Sequence, residues 1–68
     1  MAMMTLKAAR VNVGLNQKEA AAAIGVSNKT LGNWESGASF PNADKIKKIC
    51  DLYMVSYDDI IFLANNPL

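Results

Sequence analysis

The sequence has no histidine and a single cysteine, Cys50. These counts exclude a disulfide framework, a Cys/His metal site and a His-based acid/base or nucleophile pair. Apolar runs are also short. None approaches the roughly 18 residues that a membrane span requires, and the Met-rich start lacks the long apolar stretch of a signal peptide. We therefore expect a cytoplasmic protein with no metal, no cofactor and no membrane partner, and we do not expect an enzyme.

A strong charge of either sign is lacking as well. Seven Lys and Arg residues against six Asp and Glu residues give a formal net charge of +1, and 51% of the 68 residues are hydrophobic. A disordered nucleic-acid tail would show a larger charge and lower hydrophobicity. A chain of this length buries only about 60% of its unfolded surface, which favours a binding module over a deep catalytic cleft. We predict one domain over residues 1–68, with a core at about 5–63, a frayed tail at 64–68 and no small-molecule ligand.

What the sequence does contain is helical periodicity. Apolar residues recur at spacings of three and four, and no alternating run is long enough for a strand. We therefore predict an all-α fold of five helices. The predicted helices cover about 5–12, 17–24, 28–36 and 43–53 and, after Ser56, a short segment that holds Ile60, Ile61 and Phe62. The predicted N-caps of the first four are Thr5, Asn16, Ser27 and Asn42.

The second helix has the clearest start signal. Asn16 and Glu19 have the spacing of a capping box, in which two backbone amides are satisfied reciprocally. Gly25 stands where a helix ends in the left-handed conformation, and Ser27 caps the next helix almost at once. Helices two and three therefore meet across a three-residue turn. This pattern is typical of a helix-turn-helix, whose second helix fits the major groove of DNA.

The segment 15–37 resembles the Cro/cI-type (XRE) helix-turn-helix family of phage repressors and bacterial regulators. The matching features are Gln17, the turn Gly25-Val26-Ser27, the close Trp34-Glu35-Ser36-Gly37, Pro41, and Val55-Ser56 with acidic Asp59. The resemblance extends over about residues 5–63. It implies a five-helix, lambda-repressor-like fold whose third helix enters the major groove, usually as a homodimer on a palindromic operator.

The resemblance also implies which residues contact DNA. Gln17 would bind a phosphate with the help of Asn16, because a helix N-terminus favours anions. The DNA-facing positions of the third helix are Ser27, Asn28, Lys29 and Asn33. An Asn can bind adenine N6 and N7, and a Lys can donate to guanine O6 and N7. Asn16 and Ser27 are also explained as caps, Gln17 as a helix former, and Lys29 could serve a phosphate instead.

Three positions depart from the family pattern. Gly32 inside the recognition helix costs roughly 1 kcal/mol relative to Ala, and we interpret it as a point where the backbone approaches DNA closely. Met54 follows the fourth helix where the family often has Gly or Asn, so either Met54 is strained or the turn differs. The loop at 38–42 lacks the Lys and Arg that many relatives use on phosphates, and Lys45 could compensate.

Two further sets of residues have structural roles in this interpretation. Arg10 and Glu35 match an ion pair that the family commonly places between the first and third helices, and we predict that it fixes geometry. The predicted dimer contacts lie near the C-terminus, although two of them could simply close the core. They are Tyr57, Ile61, Phe62 and Leu68.

The predicted function is sequence-specific binding of double-stranded DNA by a transcriptional regulator, a repressor of phage, prophage or bacterial origin that associates with the nucleoid when bound. An alternative is an antitoxin-like or accessory protein whose main partner is another protein, with DNA binding used for autoregulation. A third hypothesis is an interaction domain that has lost DNA binding. The polar residues Asn28, Lys29 and Asn33 argue against this last hypothesis.

Overall fold

Four α-helices form most of the computed structural model, which describes residues 3–62. They are α1 (Leu6–Asn12), α2 (Gln17–Ile24), α3 (Asn28–Ser36) and α4 (Ala43–Tyr53). A 3₁₀ turn, Tyr57–Asp59, follows α4. Two strands of two residues each, β1 (Met4–Thr5) and β2 (Ile60–Ile61), pair in parallel beside α1.

Polar N-caps determine where the helices begin. The N–H of the residue three positions later donates to Thr5 Oγ1 at 3.1 Å, to Asn16 Oδ1 at 2.7 Å, to Ser27 Oγ at 3.1 Å and to Asn42 Oδ1 at 3.0 Å. Asn16 N also donates to Glu19 Oε1 at 2.9 Å, which completes the predicted capping box. Each bond satisfies an amide that has no partner inside its helix. All four predicted caps are confirmed.

The predicted fifth helix is not confirmed among residues 3–62. Ser56 N and Ser56 Oγ both donate to Asp59 Oδ2, at 3.3 and 2.9 Å, but the helical geometry ends after a single 3₁₀ turn. Ile60 is already extended, with φ −103° and ψ 133°, and pairs with Met4, while Ile61 pairs with Thr5. Two consecutive β-branched residues favour this conformation. A strand of two residues is too short to show an alternating pattern, so the sequence does not predict β2.

One apolar core lies between the four helices and the strand pair. Its buried residues are Leu6, Ala9, Ala20, Ala21, Ile24, Leu31, Trp34, Ile49, Tyr53 and Ile60. The buried alanines of α2 leave little side-chain volume where that helix packs on α3 and α4. Ala21, Ile24, Leu31 and Trp34 are buried, and Val26, in the turn between α2 and α3, is half-buried. The core thus holds the two helices at a fixed angle.

Two further expectations concern a membrane span and the C-terminal tail. No helix within residues 3–62 combines the length and apolar character needed to cross a bilayer. The predicted frayed tail at 64–68, with the dimer candidate Leu68, lies outside the described residues.

Met54 ends α4 in a left-handed conformation, with φ 57° and ψ 45°. Its N–H donates to the carbonyl of Cys50, and its side chain is 80% exposed. Gly25 and Gly37 end α2 and α3 in the same conformation, where the lack of a Cβ removes the penalty. Of the two alternatives raised by the sequence, the strained Met54 is therefore the one observed.

We expect Met54→Gly to raise the free energy of unfolding by about 1 kcal/mol, because glycine removes the left-handed penalty at no loss of packing. Denaturant unfolding measures the change. Met54→Ala is the matched control, since it removes the same exposed side chain but keeps a Cβ. An equal gain in both variants would assign the effect to the exposed side chain and not to the backbone.

Candidate nucleic-acid interface

The turn between α2 and α3 determines how the third helix is presented. Gly25 N and Val26 N both donate to the carbonyl of Ala21, at 2.9 Å each, which closes α2. Gly25 has φ 91°, and Ser27 then caps α3. Leu31 and Trp34 point into the core. The opposite side of α3 is thereby left at the surface.

The predicted DNA-facing residues occupy this surface to different degrees. Ser27, Asn28 and Lys29 are exposed at the start of α3, and Gly32 and Asn33 are half-buried one turn later. Two more predicted residues lie at the start of α2: its N-cap, Asn16, is exposed, and its first residue, Gln17, is half-buried. Lys45 is on another element, the first turn of α4, and is half-buried. The structure brings Gln17 and Asn28 into direct contact, with Asn28 Nδ2 donating to Gln17 Oε1 at 3.1 Å.

A chain of hydrogen bonds links this surface to the interior. Arg10 Nε donates to Glu35 Oε2 at 2.7 Å, and Arg10 Nη2 donates to Glu35 Oε1 at 3.3 Å. Glu35 Oε1 also accepts from Gln17 Nε2 at 3.1 Å, and Gln17 in turn accepts from Asn28. We call Arg10, Glu35, Gln17 and Asn28 the polar chain. It connects α1, the end of α3, the start of α2 and the start of α3.

The ion pair at the inner end of the polar chain is well shielded. The side chains of Arg10 and Glu35 are 8% and 6% exposed. Arg10 Nη1 also donates to the carbonyl of Leu15 at 2.9 Å, so the guanidinium holds the loop before α2 as well. The hydrogen bond to Glu35 raises the pKa of Arg10 against the opposing effect of burial. Arg10 and Glu35 thus form an ion pair, and its hydrogen bonds counter the cost of removing two charges from water.

A second surface feature is apolar. The side chains of Phe40, Pro41, Ile46, Tyr57 and Phe62 line an open groove of about 250 Å³. The rings of Tyr57 and Phe62 lie 5.7 Å apart between centroids, at an interplanar angle of 35°. Phe40 and Tyr57 are 58% and 57% exposed, and Ile61 is 41% exposed. Two predicted dimer residues therefore line one groove, while Ile61 presents a further apolar side chain at the surface.

Comparison with known proteins identifies the family. A family model described as "Helix-turn-helix" matches residues 6–60, which include all four helices and the polar chain. The chain belongs to the XRE-type helix-turn-helix family. It is 39% identical over 56 residues to the HTH-type transcriptional regulator ImmR of Bacillus subtilis (strain 168). It is 30% identical over 56 residues to the HTH-type transcriptional activator BcrR of Enterococcus faecalis.

The two alignments cover 82% of this chain but only 44% of ImmR and 28% of BcrR, so the chain spans less than half of either relative. Membership of the family, together with relatives named as transcriptional regulators, supports a DNA-binding role in transcription regulation. The family is one of non-enzymatic regulators. Residues 6–60 of this chain match the helix-turn-helix that defines the family.

Sequence reasoning missed the inner contacts of Gln17. The sequence suggested a side chain directed at a phosphate, whereas the amide bonds both Glu35 and Asn28. One Nε2 hydrogen remains available for a phosphate, so the two roles are compatible. The crossing of α2 over α3 brings together residues 11 and 18 positions apart, and no short-range pattern marks such a contact.

Gly32 lies over the same amide. A Cβ at this position would come within 3.5 Å of Gln17 Nε2 and 3.7 Å of Gln17 Oε1, which is ordinary van der Waals contact. An alanine therefore fits within the protein, while glycine leaves the Gln17 amide uncovered.

Tyr53 is buried close to the ion pair. Its side chain is 1% exposed, and its hydroxyl has no hydrogen-bond partner within residues 3–62. Burial, with the nearby negative charge of Glu35, raises the pKa of Tyr53 to about 12. The phenolate is thus strongly disfavoured in the folded protein, and the neutral hydroxyl forgoes the bonds it would make in water.

We expect the free energy of unfolding to fall between pH 10 and about pH 12. Unfolded Tyr53 ionises near pH 10 while the folded residue keeps its proton, so rising pH favours the unfolded chain by about 1.4 kcal/mol per unit. Tyr53→Phe should remove this pH-dependent loss of stability. It should also raise the free energy of unfolding at neutral pH by roughly 1 kcal/mol, because the buried hydroxyl without a hydrogen-bond partner is gone. Denaturant unfolding at several pH values measures both effects.

Tyr57→Phe provides the control for this measurement, because the Tyr57 ring is 57% exposed. It should leave the alkaline loss of stability as in the wild type. A Tyr53→Phe variant with the wild-type alkaline slope would contradict the assignment to Tyr53.

Proposed function

We propose that this chain is a sequence-specific double-stranded DNA-binding domain of a transcriptional repressor, with α3 in the major groove. The observation that carries the proposal is the exposure of the N-cap Ser27 and of Asn28 and Lys29 on the first turn of α3, beside the capped start of α2. A helix presents its first-turn side chains to base edges in this docking mode. We propose a phage, prophage or bacterial origin and a cytoplasmic location, with nucleoid association when bound.

The proposed contacts divide into positioning and reading. Gln17 and Asn16 hold a phosphate at the N-terminus of α2, where free amides and the helix dipole favour an anion. Lys45, in the first turn of α4, contacts a second phosphate. Asn28 and Lys29 read bases, Asn28 at adenine and Lys29 at guanine or a phosphate. Two further residues approach the DNA on α3, namely Ser27 and Asn33.

A homodimer on a palindromic operator is part of the proposal. Only a few cations lie near the proposed interface, so a single copy gains little phosphate neutralisation and two copies are needed for tight binding. The second copy packs on the apolar groove between Phe40 and Tyr57 and on the adjacent Ile61. The exposure of Phe40, Tyr57 and Ile61 favours such a contact. The proposed dimer residues are Tyr57, Ile61, Phe62 and Leu68.

Selection of bound duplexes from a random pool, at two salt concentrations, tests this function. We expect a palindromic consensus with half-site centres about one helical turn apart, and binding that weakens steeply as salt rises. Asn28→Ala should erase the preference at one position of each half-site and leave the other positions intact. Binding without sequence preference would refute base reading by Asn28, Lys29 and Asn33.

A reporter gene placed behind the selected operator tests the direction of regulation. Repression predicts lower transcription when the chain is present. Higher transcription would contradict the repressor assignment and would agree with the activator role named for BcrR.

Gly32→Ala tests the close approach of α3 to DNA. The added methyl fits within the protein and favours helix, so the free energy of unfolding should rise by up to about 1 kcal/mol. We expect weaker operator binding in spite of this gain, because the methyl covers the Gln17 amide on the DNA side. Thermal unfolding and operator titration measure the two effects. Unchanged operator affinity would contradict the proposed approach.

A further inference from the structure

The hydrogen bonds of the polar chain are all donated toward its buried carboxylate, Glu35. Glu35 is the carboxylate partner of Arg10, and a carboxylate can only accept hydrogen bonds. Gln17 must therefore turn its NH₂ group toward Glu35, as observed at 3.1 Å. Its carbonyl oxygen then faces Asn28, which must donate with its own NH₂ group, also at 3.1 Å. The opposite orientation of either amide would oppose two donors or two acceptors.

The orientation of Asn28 determines what this side chain can offer to another molecule. One Nδ2 hydrogen is used on Gln17, so the free edge consists of one N–H donor and the Oδ1 acceptor. Adenine presents an N6 donor and an N7 acceptor in the major groove, whereas guanine presents two acceptors, N7 and O6. The free edge of Asn28 is complementary to adenine and can satisfy only one of the two guanine acceptors.

We propose that Glu35, through Gln17, sets the amide orientation of Asn28 and thereby its preference for adenine over guanine. Glu35 is a positioning residue here, since it lies at the far end of α3 with a side chain that is 6% exposed. The inference rests on the proposed function, because it requires Asn28 to read a base. It adds that the choice of base is made by a buried charge two hydrogen bonds away.

Glu35→Gln tests the inference most sharply, because it should reverse the donor and acceptor roles along the polar chain. Arg10 donates to both oxygens of Glu35, from Nε to Oε2 at 2.7 Å and from Nη2 to Oε1 at 3.3 Å. The shorter bond retains the amide oxygen of the new residue at the Oε2 position, and the longer bond from Nη2 is lost. The NH₂ of the new residue then takes the Oε1 position and faces Gln17. Gln17 must turn its oxygen inward and donate to Asn28, and Asn28 must accept with Oδ1. The free edge of Asn28 then carries two N–H donors, which match guanine.

The measurement is base selection at the position that Asn28→Ala identifies, using the full chain. We expect wild type to select adenine there and Glu35→Gln to shift the adenine-to-guanine ratio toward guanine by about fivefold or more. Gln17→Met breaks the chain without replacing it, so the preference should be lost but not inverted. Arg10→Lys is the control: it weakens the ion pair but leaves Glu35 an acceptor, so adenine should still be selected.

The outcomes separate positioning from general stability. Thermal unfolding establishes that each variant is folded at the assay temperature, and if Glu35→Gln is not, Gln17→Met decides. A folded Glu35→Gln that still selects adenine, or a Gln17→Met that does so, would overturn the inference. A shift toward guanine in Arg10→Lys would overturn it too, because damage to the ion pair would then suffice. Selection by wild type of a base other than adenine at this position has the same consequence.

The free protein offers a second readout that needs no DNA. The side-chain NH₂ resonances of Asn28 should shift in Glu35→Gln and stay in place in Arg10→Lys, and unchanged resonances in a folded Glu35→Gln would contradict the inference. Failure of the proposed function looks different. In that case wild type shows no base preference at all, whereas failure of the inference alone leaves a wild-type preference that Glu35→Gln and Gln17→Met do not alter.

Discussion

The rest of the structure depends on the ion pair between Arg10 and Glu35. The side chains of Arg10 and Glu35 are both shielded from solvent, and the Arg10 guanidinium bonds both Glu35 and the carbonyl of Leu15. The pair joins α1 to the end of α3 and also holds the loop that leads into α2. Removing either partner alone would leave a buried charge, at a cost of about 3–5 kcal/mol. Such an arrangement contributes less to net stability than to a single relative placement of three helices.

The same pair gives the surface a defined chemical pattern. A hydrophobic contact would hold α1 and α3 together equally well, but it would leave the amide of Gln17 free to take either orientation. A carboxylate removes that freedom, because it accepts and never donates. The amide of Asn28 at the surface is linked to this carboxylate by two hydrogen bonds, through Gln17, and its orientation matches that of the Gln17 amide. In a domain whose net charge is only +1, ordered donors and acceptors can supply discrimination that nonspecific attraction to phosphates cannot.

Much of this architecture could be predicted from local sequence. The caps Asn16 and Ser27 and the glycine at 25 act within a few residues, so their patterns located α2, α3 and the turn between them. The ion pair followed from a family resemblance and not from spacing. Local patterns could not predict the contacts of Gln17 or the pairing of β1 with β2, because these contacts join segments that are distant in sequence. Ile60 and Ile61 fit a helical stripe as well as a strand until Met4 and Thr5 are known to lie beside them.

The strand pair also bears on how the domain assembles. Met4 and Ile60 lie at opposite ends of the described chain, so their pairing closes almost the whole molecule into a loop. The entropy lost in closing such a loop is recovered only after the intervening helices have packed. We therefore expect these two short strands to form last during folding and to open first under mild denaturation. Because Thr5 both pairs with Ile61 and caps α1, fraying there would loosen the start of the helix that carries Arg10.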